Sequence, residues 1–200
     1  MALLSIESIA PGIQLGLWAI EDTTELLMAQ DPRLAGVTEA GHYHADARRR
    51  EVLAVYALLF AMTGDGSKRI THDELSRPRV DGYHVSISHT RGYAALILSR
   101  HEPVAIDIEY YSTRVARVLS KFVRPDELTP DTTSQLLHWS AKETVYKLCA
   151  EENLQYFEMR VEPMTPSTAG TLRVDDLKAP KTLDVHYRVT PDYVLTYAHR

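Results

Sequence analysis

A helical pattern followed by extended segments occurs twice in this chain, and that repeated order of elements constrains its fold more than any other feature. In "HADARRREVLAVYALLFAMTG", Val52, Leu53, Tyr56, Leu59 and Phe60 recur at helical spacing, and Gly64 closes the run. "TTELLMAQ" predicts a shorter helix before it, with Thr23 or Thr24 as N-cap. "GIQLGLWAI", "YHVSISHT", "YAALILS" and "VAIDIEY" read as strands. Helical patterns return in "TRVARVLSKFV" and "TSQLLHWSAKETVYKLCAEE", and a strand pair, "DVHYRVT" and "PDYVLTYAH", follows. Such an order predicts an α+β protein of two similar halves, 1–103 and 104–200. No literal repeat is present, so the duplication rests on element order. "THDELSRPRVDG" is rich in turn formers and predicts a loop.

The formal net charge of −5 disfavours a nucleic-acid binder that relies on overall charge, so an anionic ligand must meet a local basic cluster. The single cysteine, Cys149, excludes an internal disulfide and fits a reducing compartment. No apolar run approaches the roughly 20 residues of a membrane span. "MALLSIESIA" lacks the basic start of a signal peptide, so a cytoplasmic location is expected.

In "VAIDIEY", Ala105, Asp107 and Glu109 point to one face of the strand, while Val104, Ile106 and Ile108 point to the other. Two carboxylates on one face, about 6–7 Å apart along the strand, can converge on one hard cation. A half-buried strand with a solvated acidic face is the plainer reading of those seven residues alone. In "HWSAKETVYK", Trp139, Lys142, Glu143, Tyr146 and Lys147 share one arc of a helix, with Ala141, Val145 and Leu148 opposite. Alone, this is an amphipathic helix with an ordinary Glu143–Lys147 pair. Together, three carboxylates and adjacent lysines form the set that phosphoryl-group transfer around a divalent ion requires. His89 ends the "VSISHT" strand, and Arg48, Arg49 and Arg50 begin the longest helix. Arg77 and Arg79 flank Pro78. Arginine groups in an acidic protein are candidates for ligand phosphates, although such runs are commonly solvated faces.

"SRPRV", "VSISHT", "VAIDIE" and "WSAKETVYK", in this order and spacing, resemble the motifs of the 4'-phosphopantetheinyl transferase superfamily. The likeness is to the long, monomeric, surfactin-synthetase-activating type. It implies two pseudo-symmetric α+β halves with the active site in the cleft between them. Residues 1–103 would then contact the nucleotide of coenzyme A, and 104–200 would carry the metal-binding carboxylates and catalytic helix. The resemblance implies Asp107, Glu109 and Glu143 as ligands of Mg²⁺, or alternatively Mn²⁺, with Glu143, Lys147 and Asp107 catalytic. It places Arg48 or Arg49, Arg77, His89, Thr90, Lys142 and Lys147 against coenzyme A. The implied partner is an apo acyl or peptidyl carrier protein of fatty-acid or secondary-metabolite synthesis. Lys121, Phe122 and Arg124 are the expected basic and apolar docking rim. Three positions depart from the family pattern: Ala105 for glycine, Ser76-Arg77 for Gly-Lys, and Tyr56 where many relatives carry arginine.

Rival readings are a metal-dependent phosphodiesterase using the same groups and a non-catalytic relative that binds coenzyme A or carriers. A serine hydrolase built on Ser86 or Ser88, His89 and Asp107 lacks a nucleophile elbow. His42, His44 and Asp46 offer no convincing zinc spacing and read as a loop.

Overall fold

The computed structural model describes residues 3–200. The chain divides into two compact units, one ending at Pro103 and the other beginning at Val104. Among the described residues no helix is long and apolar enough to cross a membrane.

The first unit contains β1 (Leu3–Ala10), β2 (Ile13–Ala19), α1 (Thr24–Gln30), α2 (Asp46–Thr63), β3 (Thr71–His72), β4 (Pro78–Arg79), β5 (His84–Thr90) and β6 (Tyr93–Ser99). Its main sheet runs β1-β2-β6-β5, antiparallel throughout, with β3 and β4 paired separately. Thr23 caps α1 by accepting the Leu26 amide, and Gly64, at φ 71°, ends α2 in the left-handed conformation. The apolar stripe predicted for α2 understates its burial. Every residue from Leu53 to Phe60 is buried, because β2 and β6 cover one side while α1 and the turns at 32–36 and 38–42 cover others. Gly16 lets β2 pass close to this helix: a Cβ there would stand 2.8 Å from Met62 Sδ. Strand β1 carries no sequence signature of its kind; it is a partly exposed edge strand without clean alternation.

The second unit comprises β7 (Val104–Tyr110), α3 (Thr132–Leu148), β8 (Met159–Val161), β9 (Ala169–Asp176), β10 (Lys181–Val189) and β11 (Tyr193–His199). The sheet order is β7-β11-β10-β9-β8, again antiparallel. Strand β7 therefore lies at an edge, with Asp107 opposite Thr196 on β11. Helix α3 begins at a capping box in which Asp131 accepts the Ser134 amide at 2.7 Å and Ser134 Oγ accepts the Asp131 amide at 3.1 Å. Its Ala141, Val145 and Leu148 meet Ala105, Val174, Val185 and Val194 in the core. The predicted helix at "TRVARVLSK" is instead 3₁₀ over 113–121. Val115 and Val118, three residues apart and both half-buried, match that tighter winding.

Two polar devices fix α3 on this framework. Thr196 Oγ1 donates to the Ser140 carbonyl at 2.9 Å, and lies 2.8 Å from Ser140 Oγ and 2.6 Å from Thr144 Oγ1. On another side, Lys142 is wholly buried. Its ammonium donates to Glu127 Oε2 at 2.8 Å and to the Phe122 carbonyl at 2.7 Å. Glu127 also accepts the amides of Arg124 and Val161, each at 2.7 Å. The segment preceding α3, the helix itself and β8 thus meet at one ion pair. Burial pushes the Lys142 ammonium down from its ordinary pKa, while Glu127 opposes that shift. Removing one partner strands the other charge without water, so Lys142→Met is expected to cost about 3–5 kcal/mol of unfolding free energy. Urea denaturation measures this; a loss under about 1 kcal/mol, the size of an exposed pair, would contradict the assignment.

Candidate active site

The face of β7 that carries Ala105, Asp107 and Glu109 is turned toward α3. On α3, Trp139, Glu143 and Lys147 stand four residues apart and so share one face. The helical row spans about 12 Å. Along the strand, Asp107 and Glu109 are separated by about 6.6 Å. Lys147 Nζ donates to Asp107 Oδ1 at 2.8 Å and to the Ile106 carbonyl at 3.0 Å. Trp139 Nε1 donates to Glu109 Oε1 at 2.6 Å. Glu143 lies one helical turn from each, and its Oε1 accepts from Tyr156 Oη at 2.5 Å. Each carboxylate therefore has its own donor: an ammonium, an indole or a phenol.

The three acids act on one another. Glu109 is pushed up to about 7, first by burial and then by the Asp107 charge, with Glu143 adding to the rise. The Trp139 hydrogen bond and the Lys147 charge oppose that shift. Glu143 is also raised, by burial first and by Asp107, against the lowering effects of Tyr156 and Lys147. Three partly dehydrated carboxylates are the oxygen donors a hard divalent ion takes, and such an ion would relieve their repulsion. By chemistry the donor set fits. Among the described residues, however, no three His, Cys, Asp or Glu side chains are gathered as a preformed metal cluster.

Other expected residues lie apart from this row. Lys142 belongs to the buried pair with Glu127, at 0% exposure, so the expected contact with coenzyme A is replaced by a structural one. The helical arc predicted a solvent-facing lysine, but the segment before α3 covers that side. Phe122, expected in an exposed docking rim, is likewise 0% exposed; its ring packs edge-on against Trp139 at 5.0 Å. Lys121 is exposed, and Arg124 is half-buried, with Nε 2.9 Å from Asp126 Oδ1. The methyl of Ala105 fills the core beneath α3.

In the first unit, Arg48 Nη1 donates to Glu51 Oε2 at 2.8 Å and meets His89 Nε2, while its guanidinium lies 5.3 Å from the Tyr43 ring centre. His89 Nδ1 is 3.4 Å from the same Glu51 oxygen. Arg49 turns instead to the carbonyls of Tyr43 and His44, at 2.7 and 3.3 Å. Thr90 ends β5, paired with Tyr93. Arg77 and Arg79 both donate to Asp73 Oδ2, at 2.7 and 2.8 Å. Ser76 holds φ 60°, a left-handed conformation that favours glycine. Tyr56 is a core residue whose hydroxyl donates to Glu39 and accepts the Ile70 amide at 3.0 Å. Asp46, weighed with His42 and His44 for zinc, accepts from Thr24 Oγ1 at 2.9 Å and pairs with Arg50.

Two residues of this framework carry no motif signal, Tyr156 and Glu127. Tyr156 sits on a turn beyond the "WSAKETVYK" run, and Glu127 is indistinguishable in sequence from any loop acid.

The raised Glu109 makes stability depend on pH. Folded, it takes up a proton near pH 7; in the unfolded chain it does so near 4.5. Between those values the folded state binds more protons, so stability falls as pH rises. The expected fall is on the order of 2–3 kcal/mol in metal-free buffer, and Glu109→Gln flattens it. Chemical denaturation at stepped pH reads both slopes; identical slopes would contradict the burial of this charge.

No curated protein matches the chain. With β7 and α3 both inside its bounds, the stretch 103–198 matches the family model of the 4'-phosphopantetheinyl transferase superfamily.

Proposed function

We propose that this protein transfers the 4'-phosphopantetheine arm of coenzyme A to a serine of an apo acyl or peptidyl carrier protein, releasing adenosine 3',5'-bisphosphate. The observation that carries the reading is the meeting of the Asp107–Glu109 row with the Trp139–Glu143–Lys147 row, inside the stretch that matches the family model. The serine oxygen attacks the phosphorus bearing the pantetheine arm. The bond from that phosphorus to the oxygen of the nucleotide phosphate breaks, and the nucleotide leaves with the electron pair.

Asp107, Glu109 and Glu143 would hold Mg²⁺ or Mn²⁺, which supplies positive charge to the diphosphate oxygens when bound. Glu143, whose carboxylate is held more basic than usual by burial, accepts the serine proton. Lys147, already paired with Asp107, offsets charge growing on the leaving phosphate. Arg48, His89 and Thr90 would meet the nucleotide phosphates, with Arg49 and Arg77 beside them. The Arg48–Glu51–His89 group supports that role, because it holds a guanidinium and an imidazole together at the end of β5. The wider reading is a cytoplasmic monomer of the surfactin-synthetase-activating type. In it the two units are pseudo-symmetric halves, and coenzyme A lies in the cleft between them. Lys121 and Arg124 supply the basic part of a carrier-docking rim.

Mass spectrometry of apo carrier proteins incubated with coenzyme A and Mg²⁺ tests the proposal. One phosphopantetheine should be gained on the carrier serine. Glu143→Gln and Asp107→Ala should lower the rate about a hundred- to a thousandfold, the scale of losing a main electrostatic contributor, while leaving the fold intact. Hydrolysis of coenzyme A without any carrier would instead make the protein a phosphodiesterase. Wild-type rates in both variants would remove these residues from the mechanism.

A further inference from the structure

We infer that Tyr156 is a positioning residue for Glu143 and that, paired with Trp139, it aims both glutamates of the acid row. This rests on the transferase reading above. The Tyr156 and Trp139 ring centres are 5.3 Å apart, and each ring presents its polar hydrogen to a different carboxylate. Trp139 Nε1 donates to Glu109 Oε1 at 2.6 Å, and Tyr156 Oη to Glu143 Oε1 at 2.5 Å. Phe122 backs the indole at 5.0 Å, so three packed rings form a wall beside the acids.

The wall is fixed from both ends. Tyr156 opens a 3₁₀ turn in which Glu158 Oε2 accepts the Gln155 amide at 2.8 Å. Leu154 and Met159, on either side of that turn, are anchored in the core at 1% and 0% exposure. Phe122 is tied through its carbonyl to the buried Lys142 ammonium. The phenol is therefore not a mobile surface group that happens to touch Glu143.

A glutamate has three side-chain torsions, and its carboxylate can present either oxygen in many directions. A donor held rigidly at Oε1 removes most of that freedom and leaves Oε2 as the oxygen not committed to Tyr156. That oxygen is then the one turned to metal or to the serine hydroxyl. Orienting partners of this kind are commonly worth roughly 10–100-fold in metal affinity or activity.

Tyr156→Phe tests the assignment, because it keeps the ring and removes only the hydroxyl. Carrier-modification kinetics, Mn²⁺ binding to the resting protein by electron paramagnetic resonance, and thermal melting are measured in parallel. The expected result is a kcat lowered about 10–100-fold, a comparably weakened Mn²⁺ affinity, an unchanged KM for coenzyme A and an unchanged melting temperature. Tyr156→Ala should in addition change the Trp139 fluorescence in the resting protein. If wild type is active and Tyr156→Phe matches it in kcat and Mn²⁺ affinity, the positioning role is overturned while the transferase reading stands. A Tyr156→Phe protein that loses activity together with thermal stability would make the hydroxyl a packing element and also overturn the role. A wild-type protein that neither modifies a carrier nor binds Mn²⁺ overturns the transferase reading, and this inference with it.

Discussion

Repulsion among three partly buried carboxylates is the constraint to which the second unit is built. Asp107, Glu109 and Glu143 each raise the free energy of their neighbours' charges, and burial removes the water that would screen them. The fold answers with one donor for each acid, drawn from α3 or from the turn that follows it. An ammonium, an indole and a phenol differ in what they leave behind. Only Lys147 brings a full opposing charge; it pairs directly with Asp107 and only partly offsets the repulsion at the two glutamates, whose carboxyls stay raised. That imbalance is the physical argument for a cation in the chemistry.

Keeping the acids together requires that α3 neither slide nor rotate against the sheet. The Ser140–Thr144–Thr196 hydroxyls fix it along β11, directly beside the Asp107 pairing position. The Lys142–Glu127 pair fixes it against the segment that precedes it. These interactions use residues interleaved with the functional ones. Ser140 and Thr144 each directly follow one of Trp139 and Glu143, and Lys142 directly precedes Glu143. Positioning and chemistry are thus different faces of the same two helical turns, which is why few positions between Trp139 and Lys147 are left to solvent.

Much of this is legible in the sequence because it rests on local periodicity. Alternation along β7 puts Asp107 and Glu109 on one face, and four-residue spacing puts Trp139, Glu143 and Lys147 on another; both follow from backbone geometry alone. The α+β class follows from element order in the same way. What periodicity cannot report is which side of a helix other segments cover. Lys142 shares an arc with Glu143 on a helical wheel, yet the chain before α3 encloses it. Phe122 looks equally available in sequence, and it is core. Strands β1 and β8 give no readable pattern, the first as a partly exposed edge strand and the other as a three-residue one. Strand β9 does alternate, with Leu172 and Val174 inward and Arg173 outward. Tyr156 is illegible for a different reason: its role depends on a turn that folds it back onto the preceding helix.

The central claim is that Asp107, Glu109 and Glu143 serve one divalent ion. Anomalous diffraction from crystals soaked in Mn²⁺ tests it without reference to any substrate. The account predicts one strong peak in contact with carboxylate oxygens of all three residues. A saturated crystal whose only peaks lie elsewhere, with the three acids still on their separate donors, would contradict it.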